Sequence, residues 1–502
     1  MKKLLTIGLA WGMPIWLWAQ EAQQPMGLDE RIDSWVRPAT DVVESIVFYS
    51  IGSGTSAMPL VVIMLLLAAT FFTLYFKFIN IRGFKLALDT VRGKFSDPNN
   101  PGEVSHFQAL SAALSGTVGL GNIAGVAIAI TLGGPGATFW MIVAGLLGMS
   151  SKFAECTLGV KYRDVGPDGT VYGGPMYYLT KGLREIGWGN MGKALAVFFA
   201  IMCVGGSFGG GNMFQANQAA QQFNKFLGFD AGYAGFLFGL VMATFVAIVI
   251  IGGIKRIGAV AERIVPFMCG LYVLCALIIL FANYHHIPEA FGHILKGAFT
   301  PEGVAGGFVG VLVQGFRRAA FSNEAGVGSA AIAHSAVRTE YPASEGIVAL
   351  LEPFIDTVVV CTMTALVIII TGNYINVPEG VDGVDLTSRA FASVLPWFPY
   401  LLTVAVVLFA FSTMLSWSYY GLQSWLFLFG RTKFNEYLYK VIFCVFVVIG
   451  ASASLGSVIA FSDAMIFAMA VPNLIGVTLM VPKVREELAK YVDYTRNFIS
   501  KD

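Results

Sequence analysis

The sequence predicts an all-α polytopic membrane protein: two five-helix repeats of inverted topology behind one extra N-terminal helix. Three observations predict it. The 502-residue chain is 56% hydrophobic and only 13% charged, with mean hydropathy +0.70, whereas soluble domains carry about 25% charged residues. Eleven apolar stretches are long enough to cross a bilayer at ~20 residues per crossing. Two of them, five spans apart, are interrupted in their middles by glycines and polar side chains.

Taken in order, residues 1–19 place Lys2 and Lys3 before an apolar run ending at Ala19. This resembles a secretory signal peptide, with a retained anchor as the alternative, because Leu17 stands where a small residue is expected. Residues 20–56 are polar and lean acidic, an extracytoplasmic segment with an amphipathic stretch around 28–49. The extra span covers 57–78. The first repeat, 106–283, holds spans at 106–132, 137–160, 192–223, 231–252 and 260–283. The second, 303–482, holds spans at 303–333, 346–371, 396–428, 438–457 and 460–482, and a tail follows over 483–502. In the connection 161–193, Gly173-Gly-Pro175 is a breaker ahead of a short interfacial helix. The connection 372–395 carries Glu379, Asp382 and Asp385 and reads as solvated.

Lys and Arg set the orientation. With the N-terminus outside, inner connections hold 22 and outer ones 5. This asymmetry puts the N-terminus out and the C-terminus in the cytoplasm, which an odd number of spans requires. The net charge of +1 and the lack of a basic cluster leave no case for a nucleic-acid partner. The six cysteines lie in apolar segments without CxxC spacing and read as small buried hydrophobes; the five scattered histidines support no metal site and no cofactor is implied.

The first interruption is Ala113-Leu-Ser-Gly-Thr-Val-Gly-Leu-Gly-Asn-Ile-Ala-Gly125. A plain anchor has no use for it, since glycine weakens a helix by ~1 kcal/mol relative to alanine. Broken backbone at membrane depth survives where it lines a protein cavity. Close helix packing at small residues is the alternative, but Asn122 would be costly there without polar partners. The second interruption, Phe321-Ser-Asn-Glu-Ala-Gly-Val-Gly-Ser329, lies in a span of opposite direction. Paired breaks in corresponding positions point to a solute site at the repeat interface.

A small zwitterion fits such a site. Its carboxylate suits free N–H groups at a half-helix N-terminus, offered by Gly119, Gly121, Asn122 and by 325–328. Its ammonium suits oxygens around Thr117, Phe321 and Ser322. A sodium ion takes neutral oxygens from Ser115, Thr117 and the Val118 carbonyl, joined by Ser412 and Thr413, unless those hydroxyls bond back to their own helix. Gln215 either faces the ligand or bridges helices. Trp417, one turn after Thr413, either closes a small pocket or packs an interface. Charges inside spans are functional candidates by default: Arg317, Arg318, Glu324, Glu352, Asp356, Lys152 and Glu155. For the first five, internal ion pairing that holds the broken helix is the favoured role, and proton relay or gating the alternative; Lys152 and Glu155, near the inner end of the third span, belong to a gate or to structural pairing.

Val118-Gly-Leu-Gly-Asn-Ile-Ala-Gly125, Gly133-Gly-Pro-Gly-Ala-Thr-Phe-Trp140, Gly173-Gly-Pro-Met-Tyr-Tyr178, Phe321 to Ser329 and Phe411-Ser-Thr-Met-Leu-Ser-Trp417 together resemble the alanine or glycine:cation symporter family over roughly residues 50–485. The resemblance implies a LeuT-type fold of ten core helices plus one, which is itself a standard example of broken-helix inverted repeats. It implies sodium-coupled uptake of alanine or glycine by alternating access across a bacterial inner membrane. Carried over by motif, Asn122, Gly119, Gly121, Gln215, Trp417 and the unwound stretch with Phe321, Ser322, Asn323 and Gly326 would contact substrate. Ser115, Val118, Ser412 and Thr413 would surround sodium. A proton-coupled carrier and a passive channel or facilitator of the same architecture are the alternatives. An enzyme is disfavoured, because no paired acid and base, metal cluster or nucleophile elbow is present.

Overall fold

A computed structural model of the chain describes residues 41–52, 57–228, 233–300, 307–378, 381, 383–394, 396–453 and 455–500. The signal-like segment 1–19, residues 20–40 and the acidic residues Glu379 and Asp382 lie outside the described residues.

The architecture is helical. The first long helix, α1 (Leu60–Tyr75), leads through α2 (Phe84–Val91) to α3 (His106–Thr117). Ser105 caps α3 in a reciprocal capping box: its hydroxyl accepts from the Gln108 backbone N–H, and the Gln108 side-chain oxygen Oε1 accepts from the Ser105 N–H, both at 3.2 Å. After a break come α4 (Val126–Gly133) and α5 (Gly136–Lys161). The short α6 (Pro175–Glu185) starts on Pro175, just after the Gly-Gly breaker. Then follow α7 (Gly189–Phe208), α8 (Phe214–Leu227), α9 (Ala234–Ile250) and α10 (Gly253–Ala282).

The second half runs through α11 (Ile287–Phe299), α12 (Gly307–Asn323), α13 (Ala330–His334), α14 (Pro342–Ala349) and α15 (Thr362–Ile370). It ends with α16 (Gly383–Ala392), α17 (Phe398–Phe429), α18 (Lys433–Ser452), α19 (Leu455–Leu479) and α20 (Val481–Ile499). Two antiparallel strand pairs, Ser50–Ile51 with Met58–Pro59 and Asp164–Val165 with Val171–Tyr172, are minor.

Seven described helices are long and apolar enough to cross a membrane, eight when α3 and Gly121–Gly133 count as one bent span. The shorter α1 and α9 and the pair α12/α13 fall on the other stretches picked out by hydropathy. Large apolar side chains stay exposed along α9 and α10, Leu240, Phe245 and Phe267 among them, as a lipid-facing rim requires. The centre of the bundle is α5, which packs against α1, α12, α13 and α14.

Two expectations need correcting. The boundary between the spans placed at 438–457 and 460–482 lies earlier, after α18 ends at Ser452; the apolar run through both helices hides it from hydropathy. The connection 372–395 is not simply solvated. It contains α16, with Val384, Leu386 and Phe391 buried and Asp385 only 8% exposed. Asp385 is neutralised by Lys225 at 2.5 Å and Arg389 at 3.4 Å.

Candidate functional site

The two breaks meet inside the bundle. α3 stops at Thr117, and Val118 leaves helical geometry with φ −75° and ψ 86°. A wide turn over Gly121–Gly125 then restarts the chain, bent 51° from α3. Beyond α12, Glu324 adopts φ +55°, followed by Gly326 at +85° and Gly328 at +95°. Positive φ is uncommon for a non-glycine residue and marks a strained position. The glycines bring backbones together: a Cβ added to Gly121 would lie 3.3 Å from Ser322 Cα.

A single carboxylate joins these breaks. Asn122 Nδ2 donates to Asp356 Oδ1 at 2.7 Å and to the Asp356 carbonyl at 3.0 Å. Ser322 Oγ donates to Asp356 Oδ2 at 2.9 Å, and Thr357 Oγ1 donates to the same oxygen at 2.7 Å. Asp356 is fully buried and, among the described residues, has no ion-pair partner. A buried carboxylate served by neutral donors alone calls for a compensating positive charge. Internal ion pairing does occur at the neighbouring candidates: Lys152 reaches Glu352 at 2.9 Å, and Arg317 reaches Asp463 at 2.8 Å. Arg318 also pairs with Asp463.

The expected substrate residues divide into two groups. Gly119 N–H donates to Asn122 Oδ1 at 2.8 Å, and Leu120 N–H donates to Gln215 Oε1 at 3.2 Å. Gln215 Nε2 donates to the Gly210 carbonyl at 2.9 Å, so Gln215 bridges two irregular segments at the break. Trp417 Nε1 donates to Glu324 Oε1 at 2.9 Å. Its ring fills the place where a Cβ on Gly211 would stand and lies 3.4 Å from one on Gly206. The Phe321 ring meets Phe214 edge-on at 5.4 Å. Asn323 and Gly326 point elsewhere. Asn323 Nδ2 donates to Thr357 Oγ1 at 2.8 Å, and the Gly326 carbonyl accepts from Asn473 Nδ2 at 2.9 Å.

Most hydroxyls of the expected sodium set are turned to protein. Ser115 Oγ donates to the Ser412 carbonyl at 3.0 Å and bonds to Ser416 Oγ. Ser412 Oγ bonds back to the Phe409 carbonyl at 3.0 Å, and Thr117 Oγ1 to that of Ala113 at 3.3 Å. Thr413 Oγ1 differs: it is buried beside Gly119 with no hydrogen-bond partner among the described residues. An orphaned buried hydroxyl is costly and fits an oxygen kept free for a cation.

Sequence reasoning missed three participants. Asp463 is a lone carboxylate in an apolar span, a signal that was available. Asn473 joins α19 to the second break. α16 packs over the first break: Thr387 Oγ1 donates to the Ile123 carbonyl at 3.0 Å, and Gln218 Oε1 accepts from the Val384 N–H at 3.2 Å.

The chain is similar to known proteins. The chain is 41% identical over 443 residues to the sodium/alanine symporter AgcS of Methanococcus maripaludis, covering 88% of this chain and 95% of that one. It is 35% identical over 441 residues to a probable sodium/glutamine symporter, GlnT, of Bacillus subtilis, covering 87% and 88%. The crystal structure of MhsT in complex with L-phenylalanine superposes with TM-score 0.50 at 14% identity, covering 77% of this chain and all of that one, which supports a LeuT-type fold. The model of the sodium:alanine symporter family matches residues 41–501. The chain is a multi-pass membrane transporter and belongs to the sodium:alanine symporter family.

Proposed function

We propose that this carrier imports alanine or glycine together with sodium by alternating access. The observation that carries the reading is the meeting of the two breaks, with Asn122 and Ser322 bound to one buried carboxylate. Unwound peptide groups and helix ends at such a junction suit a zwitterion and a small cation. The orphaned Thr413 hydroxyl beside Gly119 supports a sodium position there, with Ser115, Thr117, Val118 and Ser412 around it. Trp417 packs closely onto Gly211, and Phe321 and Ile466 lie against Gly210, beside the breaks; such close packing of bulky side chains supports a pocket for the smallest amino acids. Eleven spans in a five-plus-five inverted arrangement, an outer N-terminus and a cytoplasmic C-terminus complete the reading.

Labelled alanine uptake into proteoliposomes, with and without an inward sodium gradient, tests it. Equal uptake in both rules out sodium symport and leaves a facilitator. Competition by glycine, serine and glutamine then ranks substrates; an extra methyl is worth only ~1–3 kcal/mol in a pocket. One observation favours a second reading, proton coupling: Asp356 lacks a cationic partner among the described residues. Replacing sodium by choline at a fixed pH gradient separates the two ions.

A further inference from the structure

The end of the bundle that carries the basic connections is closed by a seam of backbone. Glu103 N–H and Val104 N–H donate to the Ala336 carbonyl at 2.8 and 3.2 Å, and Arg338 N–H donates to the Val104 carbonyl at 2.8 Å. Val104 and Val337 pair in parallel. The seam therefore joins the approach to α3 with the exit from α13, the two broken spans. Arg163 rivets it, its guanidinium donating to the carbonyls of Pro101 and Ser335 at 2.7 Å, Val337 at 2.5 Å and Thr339 at 3.1 Å.

Two histidines stand at the ends of this seam, His106 just after residues 103–104 and His334 just before 336–338. Both grip one carboxylate. His106 Nδ1 bonds to Glu345 Oε2, and His334 Nδ1 lies 2.5 Å from Glu345 Oε1. The other His334 nitrogen, Nε2, lies 3.3 Å from Glu352 Oε2, and Glu352 Oε1 accepts from Lys152 at 2.9 Å. Lys152, His334, Glu345 and Glu352 are fully buried, and His106 is 4% exposed.

The proton count follows from the geometry. A neutral imidazole has one N–H, and His334 faces a carboxylate oxygen at each nitrogen. Both contacts are hydrogen bonds only if one further proton is held between Glu345, His334 and Glu352. With that proton on the ring, two carboxylates balance Lys152 and one imidazolium, and the buried cluster is neutral. Without it, a hydrogen bond is lost and a net negative charge is left away from water, which is costly.

Among the described residues, the other groups facing the cluster offer no spare cation. Glu155 and Cys156 on α5 lie within electrostatic reach, as do Glu324 in the second break and Asp356. Tyr420 of α17 and Tyr491 of α20 add neutral hydroxyls. Arg163 is committed to its four carbonyls.

We propose that Glu345, His334 and Glu352 form a proton-binding site which, when loaded, holds the seam between the two broken spans shut. The seam is the inner gate only on the alternating-access reading above; the proton site and its grip on the seam stand on geometry. Rising cytoplasmic pH would then release the gate.

Full-length protein labelled with 15N-histidine in nanodiscs tests the site directly. His285, His286 and His293 are exposed, so only His106 and His334 give buried rings. One buried ring protonated at both nitrogens at pH 7 is expected, lost in His334→Gln and retained in His106→Asn. Should His334→Gln fail to fold, His106→Asn alone assigns the signal. Hydrogen–deuterium exchange reads the seam: protection over 101–106 and 335–340, corrected for intrinsic rates, should fall about tenfold from pH 6.5 to pH 9. A neutral His334 ring at pH 7, or protection independent of pH, overturns the proposal. Neither measurement needs transport, so absent sodium-driven uptake would strike the proposed function and leave this result standing.

Discussion

Asn122 and Asp356 are bound amide to carboxylate at 2.7 Å, and that bond fastens the first broken span to the wide turn at Phe354–Cys361. Asn122 also holds the Gly119 N–H through its oxygen. Asn122→Ala therefore leaves a buried carboxylate short of a donor and a backbone N–H unpaired, at about 1–3 kcal/mol. Alanine binding should vanish while the protein still reaches the membrane. Equilibrium binding in detergent, alongside thermal unfolding, checks both parts.

Asp356→Asn keeps the shape and removes the charge. If sodium supplies the missing positive charge, half-saturating sodium should rise at least about tenfold, equivalent to ~1.4 kcal/mol. Sodium titration of alanine uptake at fixed pH measures this. An unchanged sodium requirement with a lost pH dependence would assign the compensating charge to a proton.

Thr413→Ala should separate stability from ion binding. The hydroxyl has no hydrogen-bond partner among the described residues, so its removal should leave the Tm measured without sodium unchanged or slightly raised. The stabilisation that sodium confers on the wild type, which follows mass action, should shrink. Tm measured in sodium and in choline distinguishes this from a packing role, which would lower both values together.

Gly211→Ala places a methyl group where the Trp417 ring lies. Overpacking of this kind costs about 1–3 kcal/mol. The indole must shift, and its hydrogen bond to Glu324 at 2.9 Å should break. A lower Tm and a shift in tryptophan emission are expected; Gly228→Ala, where an added Cβ meets nothing but φ is +63°, controls for backbone strain alone.

Asp164, in the connection between α5 and α6, gives a pH signature. Burial alone would raise its carboxyl, but hydrogen bonds from Lys181 and Arg431 hold it below its ordinary value. A carboxyl depressed in the folded state stabilises above its unfolded value of about 3.9 and ceases to do so below it. The Tm gap between wild type and Asp164→Asn should be present at pH 7, begin to narrow as pH falls to about 4, and close as it falls through the depressed folded value. The pair is partly exposed, so added salt should narrow the gap as well.

The positions of the breaks were legible because glycine, serine and asparagine inside an apolar run have few structural uses. The helix over Pro175–Glu185 was legible because Gly-Gly-Pro both ends one element and starts the next. The covering helix Gly383–Ala392 was not, since its acidic residues lower the local hydropathy while Lys225 neutralises one of them from a distant helix. The grip of His106 and His334 on Glu345 was equally hidden: each is a lone polar residue locally, and only the meeting of α3, α13 and α14 makes them a unit. Thr413 shows the same limit, since only coordinates distinguish a hydroxyl bonded to its own helix from one left without a partner.

A side chain at Gly211 would meet the Trp417 ring, one at Gly210 would meet Ile466 with Phe321 behind it, and Gly206 is bounded by Trp417, Met469 and Ile466. On the proposed site, enlargement of the cargo cannot come from that wall. A descendant that carries a bulkier solute must trim an aromatic ring instead, so the identity of residues 321 and 417 should track diet across relatives more closely than any glycine does.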